Sequence, residues 1–333
     1  MTDTDDKFGK ALSDIALAHL DAHNITDLKR LSGGASQETW SFKTHNEGRI
    51  EHLILRRAPG GEGGNSSGTA IGLDTEAKLI RLAATANVAV PNVRYVAKPD
   101  DNIGSGFIMD HVSGEALGSK IVRGEVFDAV RPKLARQCGT ALAGIHGLPM
   151  SELPTIRYSP ASQEIKHYHD IYKVHGHPHP VFDLAFKWLS DNTPSDDRIT
   201  LVHGDFRNGN IMFDPKVGVS AVLDWELAHI GDPMEDMGWI CVNSWRFGAI
   251  DKPVGGLGSR EDMFAGYEAA GSPSVDPARV KFWEVLGTLK WGVMCTTMYE
   301  AFRAGVDRSV ERAAIGRRSS ETEIDLLYLL ASD

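Results

Sequence analysis

The segment Leu201-Val-His-Gly-Asp-Phe-Arg-Asn-Gly-Asn-Ile-Met-Phe-Asp214, followed by Ala221-Val-Leu-Asp-Trp-Glu226, constrains this chain more than any other. Its frame is H-x-D-x-x-x-x-N, with a further aspartate at the end of a short apolar run. Leu201 and Val202 lead into His203 as a buried, strand-like run. Gly204 and Gly209 permit tight turns around Asp205. Ile211-Met212-Phe213 is apolar again, Asp214-Pro215-Lys216 is a turn signal, and residues 217–223 read as the return strand of a hairpin that delivers Asp224. Asp and Asn are common turn residues, but their joint placement here points to chemistry. Phosphoryl transfer from a nucleotide needs a carboxylate to orient and deprotonate an acceptor hydroxyl, and oxygen ligands that hold Mg²⁺ against the phosphates. Asp205 suits the first role, and Asn210 and Asp224 suit the second. Arg207, two residues after the base, can reach the transferred phosphoryl group and offset its developing charge.

The 333 residues are too many for one small domain and fit two lobes. At 42% hydrophobic and 24% charged, the composition is that of an ordinary globular protein. A net charge of −10 and a pI near 5.7 argue against a nucleic-acid partner held through phosphate contacts. Cys138, Cys241 and Cys295 lie far apart in apolar settings and read as buried free thiols in a reducing compartment. The acidic start Met-Thr-Asp-Thr-Asp-Asp does not read as a signal peptide, and no run approaches the length of a membrane span. The expectation is a cytoplasmic protein with no membrane or nucleic-acid partner.

Along the first part, Lys7 to His23 carries Phe8, Leu12, Ile15 and Leu20 at helical spacing. Asp27–Leu31 and Glu38–Lys43 read as strands around Ser32-Gly-Gly-Ala-Ser36. Strand, small-residue turn, strand is the shape of a loop that covers phosphate. The N–H groups of Gly33 and Gly34 can approach phosphate oxygens, and Ser32 and Ser36 add hydroxyl donors. The same pattern alone also describes a plain hairpin. His52–Arg57 is a further strand, residues 58–70 are a Gly-, Ser- and Asn-rich flexible loop, and Leu73–Ala84 is a helix. Strands follow at Val93–Ala97 and Gly106–Met109.

The remainder reads as mainly helical. Helices are expected over Val126–His146, Val181–Leu189, Pro277–Arg303 and Ser320–Leu330, with another opening at Asp232-Pro233, an aspartate cap before a first-turn proline. His167, His169, His175, His177 and His179 crowd one span beside Pro178 and Pro180. Imidazoles bind zinc, but no acidic or Cys partner is interleaved at a familiar spacing. The span reads as an extended loop that lines a pocket or faces solvent, with its role in binding acceptor, metal or nothing left open.

The pattern L-R-R…H-G-D-F-R-x-G-N…L-D-W-E…G-D-P resembles the aminoglycoside-phosphotransferase-like (choline-kinase-like) family of the protein-kinase-like fold, from Ser32 to about Arg303. Within it, the pattern is similar to phosphotransferase domains fused to acyl-CoA dehydrogenases. The resemblance implies an α+β, two-lobe fold with a small β-rich N-lobe and a larger, mainly helical C-lobe. The implied division is an N-terminal helix over residues 1–24, the N-lobe over 25–112 and the C-lobe over 113–333. It further implies that Arg56, where protein kinases carry lysine, touches the α- and β-phosphates, and that Glu76 pairs with Arg56 and orients it. The hinge groups for adenine would be the Asp110 carbonyl and the Val112 N–H, and Asp232 would brace the catalytic loop. The implied activity is transfer of the γ-phosphate of ATP, with GTP as an alternative donor and Mg²⁺ as cofactor, to a hydroxyl of a small molecule with Asp205 as base. A catalytically silent nucleotide-binding module and a true aminoglycoside kinase are the alternatives. The span from His167 to His179 holds Lys173 and five histidines against one acid, Asp170, which favours a neutral or anionic acceptor over a polycation. The far field of a −10 protein attracts cations and argues the other way. The fused relatives suggest hydroxyacyl acceptors. The sequence says nothing of oligomeric state.

Overall fold

The strand Arg49–Arg57, buried on both faces from Leu53 to Arg56, organises the first part of the chain. The computed structural model describes residues 3–31, 37–61, 69–195 and 197–331, so the phosphate-loop candidates Ser32, Gly33, Gly34 and Ser36 lie outside the described residues, as do 62–68 of the Gly-rich loop. The chain divides into two units. One comprises Met1–Gly114, Leu148–Ile156 and Ser220–Ala228, and the other Glu115–Gly147, Arg157–Val219 and His229–Asp333.

The first unit contains α1 (Asp3–His19), β1 (Asn24–Arg30), β2 (Glu38–Asn46), β3 (Arg49–Arg57), α2 (Leu73–Thr85), β4 (Val93–Val96) and β5 (Gly106–Asp110). The five strands form one antiparallel sheet in the order β1-β2-β3-β5-β4. Glu47 and Gly48 connect β2 to β3 with φ of 43° and 87°. Two left-handed residues in succession match the twist of a tight hairpin, and glycine takes the second position without strain. Leu53 and Leu55 of β3 join Phe42 and Ile108 in a core with Phe8, Leu12, Ile15 and Ala16 of α1. Successive side chains of a strand point to opposite faces. Ile54 and Arg56 are therefore buried on the other face, and Arg56 meets Glu76 of α2 there.

The second unit contains α3 (Gly118–Arg123), α4 (Arg131–His146), α5 (Ala161–His175), α6 (Pro180–Asp191), β6 (Thr200–Val202), β7 (Ile211–Asp214) and β8 (Gly218–Val222), along which the chain leaves this unit. It resumes with β9 (His229–Gly231), α7 (Met234–Cys241), α8 (Arg260–Ala269), α9 (Pro277–Arg303), α10 (Val310–Gly316) and α11 (Ser319–Ala331). Helix α9 is buried on all sides from Phe282 to Val293, the mark of a helix at the centre of a helical body. Helices α4 and α8 touch through glycines. A methyl group at Gly139 would stand 1.9 Å from the Met263 carbonyl oxygen, and one at Gly266 would stand 2.0 Å from that of Arg136.

Two expectations need correction. Helix α4 begins at Arg131, after a short 3₁₀ turn, and not at Val126. Pro132 lacks an N–H and fits the first turn of a helix but not its interior. The histidine span is also not extended: His167, His169 and His175 lie in α5, which ends at Gly176 with φ 67°. The prolines fall after that stop, where they break no helical hydrogen bond. All three cysteines are buried and unpaired. No helix of the described residues is long and apolar enough to cross a membrane. Among the described residues, no group of three or more His, Cys, Asp or Glu is arranged to hold a metal.

The close contact of α4 and α8 gives a direct test. Gly139→Ala and Gly266→Ala should each destabilise the protein by about 2–3 kcal/mol, because backbone must move to admit a methyl group. Chemical denaturation reads this, and midpoints unchanged from wild type would show that the helices do not approach so closely.

Candidate active site

In the second unit, the segment from His203 to Asn210 is shaped from below by one helix. The apolar strand β6 ends at Val202, and the turn that follows leaves the His203 and Gly204 N–H groups without strand partners. Asp236 of α7 accepts both, at 2.8 and 2.9 Å, and takes a third bond from His146 Nε2 at 3.0 Å. Asp236 is fully buried. Burial works to raise its pKa, but the hydrogen bond and charge of His146, with those of His203, outweigh it and hold the carboxyl below its usual range.

Asp205 sits on this frame and both of its carboxylate oxygens are engaged. Oδ1 accepts Arg207 Nε at 2.9 Å and Trp239 Nε1 at 2.6 Å. Oδ2 accepts Asn210 Nδ2 at 2.6 Å. The same Asn210 amide nitrogen also reaches the Asp205 carbonyl at 3.0 Å, so both of its N–H donors are spent on Asp205. Gly209 has φ of 107°, a conformation that suits glycine alone and that turns the chain sharply between Asn208 and Asn210. Asn208 is buried and donates to the carbonyls of Trp245 and Gly255, at 3.1 and 2.6 Å.

In the first unit, Arg56 gathers three carboxylates. Its Nε lies 3.2 Å from Glu76, and its Nη2 lies 2.5 Å from Asp224 Oδ1 and 2.9 Å from Glu226 Oε2. Glu76 also accepts the Trp225 N–H at 3.3 Å. Burial pushes the Glu76 carboxyl well above its ordinary range, while the Arg56 charge beside it pulls the other way. Arg56 remains charged, since its carboxylates outweigh the cost of burial. Asp224 has φ of 63°, uncommon for a residue with a side chain and a kind of local strain that clusters at functional sites. A planar guanidinium can serve three partners at once, which a lysine ammonium does less well.

The structure thus brings Asp205, Arg207 and Asn210 together in one unit and Arg56, Glu76 and Asp224 together in the other. Asp110 ends β5 and pairs with Arg94 at 2.6 Å, and Val112 follows in irregular chain. Among the described residues, the hydrogen bonds of Asp232 go elsewhere than the catalytic segment. Asp232 accepts the Met234 N–H at 2.9 Å, as a helix cap, and pairs with Arg279 and Trp283. The bracing role expected of Asp232 falls to Asp236. The histidines are tied down as well: His175 Nε2 lies 2.9 Å from Thr297 Oγ1, His177 Nε2 lies 3.2 Å from Glu300 and His179 Nδ1 lies 3.0 Å from Glu323. Sequence reasoning missed Glu226, Trp239 and Lys290. Only Glu226 carried a signal, as the last residue of the D-W-E run.

A five-stranded antiparallel sheet with a buried Arg–Glu pair, in a chain whose helical unit carries an H-G-D-x-x-x-x-N loop, is the build of a protein-kinase-like phosphotransferase. The chain belongs to the phosphotransferase enzyme family, whose model matches residues 27–282. Among curated relatives, human (Homo sapiens) acyl-CoA dehydrogenase family member 11 is 30% identical over 196 residues, which is 56% of this chain and 25% of that protein. Mouse (Mus musculus) acyl-CoA dehydrogenase family member 10 is 26% identical over 223 residues, 65% of this chain and 20% of that protein. The chain thus matches only a quarter or less of the length of these two relatives. Among solved structures, a Ralstonia eutropha protein described as an aminoglycoside phosphotransferase superposes with a TM-score of 0.75 at 21% identity, covering 96% of this chain and 97% of that one. A choline/ethanolamine kinase family protein from Mesorhizobium loti gives a TM-score of 0.61 at 18% identity, covering 99% and 95%.

Asp236 predicts a pH dependence. A carboxylate with a depressed folded-state pKa stabilises the protein above its unfolded value, near ~3.9, and this contribution fades as pH falls through the folded value. Asp236→Asn should therefore cost about 3 kcal/mol at neutral pH. The gap from wild type should narrow only below about pH 4. Denaturant midpoints measured from pH 3 to pH 8 check it, and a gap that is constant with pH would contradict it.

Proposed function

We propose that this protein transfers the γ-phosphate of ATP, with GTP as an alternative donor, to a hydroxyl group of a small molecule. The observation that carries this reading is the convergence of Arg56, Glu76 and Asp224 from distant parts of the sequence on one buried cluster. Nothing about packing alone calls for an arginine and three carboxylates at that place. Asp205 orients the acceptor hydroxyl and takes its proton as the new oxygen–phosphorus bond forms and the bond from the γ-phosphorus to the bridging oxygen breaks. The nucleoside diphosphate leaves. Arg56, steadied by Glu76, holds the phosphates, and Arg207 offsets charge on the transferred group. Ser32, Gly33, Gly34 and Ser36 would cover the phosphates, and the Asp110 carbonyl and Val112 N–H would meet the base. In this proposal residues 25–112 cover the nucleotide and residues 113–333 supply the catalytic loop, the Mg²⁺ ligands and the acceptor pocket, after an N-terminal segment over residues 1–24.

Asn210 and Asp224 are the candidate ligands of Mg²⁺. Both offer hard oxygen donors, and the Asn210 amide is turned so that its nitrogen serves Asp205 and its oxygen does not. Magnesium keeps several waters and takes ligands from substrate phosphates, so two protein oxygens suit it. When bound it would offset the charge that builds on the phosphates during transfer.

The proposed acceptor is neutral or anionic. The expected support from free histidines weakens, because three of them are tied to α9 and α11. Two other observations replace it. The buried carboxylates of the second unit are already matched: Glu164 with Arg157, Asp232 with Arg279, Glu235 with His229, Asp236 with His146 and Glu284 with Arg246 and Arg260. The faces of Trp239 and Trp245 carry Lys290 and Arg207, at 4.8 and 4.7 Å, which leaves less room for a quaternary ammonium. The fused domain of the acyl-CoA dehydrogenase relatives makes hydroxyacyl compounds the first class to try, and the free thiols support a cytoplasmic setting.

Two variants test the mechanism. Asp205→Ala and Asp224→Ala should each lower turnover by at least about 100-fold. Only Asp224→Ala should strongly weaken binding of the Mg²⁺-nucleotide, read by calorimetry. The turnover assay is a coupled screen of hydroxyacyl-CoA compounds, amino alcohols, sugars and aminoglycosides with Mg-ATP. Near-normal turnover of Asp205→Ala would remove it as the base, and efficient phosphorylation of kanamycin-like compounds would overturn the acceptor class alone. Nucleotide binding with no transfer or hydrolysis would favour a silent module.

A further inference from the structure

Helix α7 presents two residues three apart to the catalytic segment. Asp236 receives the His203 and Gly204 N–H groups, and Trp239 donates to Asp205 Oδ1 at 2.6 Å. Residues at that spacing lie on one helix face. Trp239 is only 4% exposed, and an indole has a single N–H that cannot rotate away. Arg207, the other donor to Oδ1, is a longer side chain and is 27% exposed. Lys290 of α9 stands 4.8 Å from the centre of the Trp239 ring and 5.6 Å from that of Tyr168, with Glu235 at 3.9 Å.

Lone pairs decide what this arrangement does. A carboxylate oxygen accepts about two hydrogen bonds. Oδ1 has two, from Arg207 and Trp239, whereas among the described residues Oδ2 has one, from Asn210. The remaining acceptor position of Asp205 is therefore on Oδ2. If Arg207 swings to a phosphoryl group, Oδ1 stays held by the indole, and the carboxylate cannot rotate to exchange its two oxygens. A cation over the ring draws electron density toward the face and makes the N–H a better donor.

We propose that Trp239 is a positioning residue for Asp205: its indole N–H, backed by Lys290, anchors Oδ1 so that Oδ2 alone meets the acceptor's proton. This rests on the reading of Asp205 as the base, and the experiment separates the two. Mg-ATP hydrolysis, with water as the acceptor, is measured for wild type, Asp205→Ala, Trp239→Phe, Lys290→Met and Lys290→Arg. Trp239→Phe keeps the ring and removes the donor. It should lower kcat by about 10- to 100-fold, with the KM for ATP within about twofold of wild type, because a charge-assisted bond to the base is lost and no nucleotide contact is. Lys290→Met should lower kcat several-fold, and Lys290→Arg should restore most of it. A second readout needs neither turnover nor the phenylalanine variant. Among the indole N–H resonances of the seven tryptophans, one should lie downfield with slow solvent exchange, and Asp205→Ala should shift it upfield and speed its exchange. Wild-type kcat in Trp239→Phe, beside a dead Asp205→Ala, would overturn the positioning role and leave the base intact. Near-wild-type hydrolysis by Asp205→Ala would remove the base, and this inference with it. If Trp239→Phe does not fold, the resonance decides: no indole signal that responds to Asp205→Ala overturns the proposal.

Discussion

One buried carboxylate sets the geometry of the second unit's functional segment. Asp236 has no exposed surface, yet it carries charge because two backbone N–H groups and His146 surround it. The turn after β6 cannot satisfy those N–H groups in a strand ladder, and leaving them unpaired in the interior would be costly. Asp236 resolves this and in doing so fixes where the backbone enters Asp205. Helix α7 then reaches Asp205 itself through Trp239, so a single short helix determines both the path of the loop and the orientation of its carboxylate.

The first unit depends on a different kind of constraint. Arg56 is buried because strand alternation turns it away from the α1 core toward α2. A guanidinium in that place must be matched by charge, and Glu76, Asp224 and Glu226 match it. The match is more than neutralisation. The Arg56 charge ties strand β3, helix α2 and the segment Ser220–Ala228 into one unit, although that segment lies far along the sequence.

Lys290 shows how far the support extends. It is buried at the centre of α9, and burial alone would lower its pKa, but Tyr168, Glu235 and Glu164 hold it protonated. Burial would raise the Glu164 carboxyl, yet Lys290, His229 and the hydrogen bond from Ser159 bring it down to about 2. Paired buried charges of this sort fix geometry more reliably than they add stability. Here they fix the ring of the tryptophan that meets Asp205.

Much of this was legible before the fold was known. The frame from His203 to Asn210, the Arg56 strand and the Pro277–Arg303 helix follow from local signals: apolar periodicity, turn residues and caps, each confined to a few neighbours in sequence. Pairings across the chain were not legible. No local rule distinguishes Asp236 from Asp232 as the support of the loop, since Asp232 stands in the G-D-P turn and Asp236 just beyond it, and only the packing of α7 under β6 decides that Asp236 faces His203. The histidine span was misread because prolines near a helix end look like those of an extended run until the stop at Gly176 is seen. Trp239 and Lys290 looked like ordinary members of apolar helices. The sequence determined which side chains could do chemistry, because that depends on residue type and spacing. Tertiary structure alone decided which oxygen of Asp205 carries two donors, because one of them, the Trp239 indole, comes from 34 positions away.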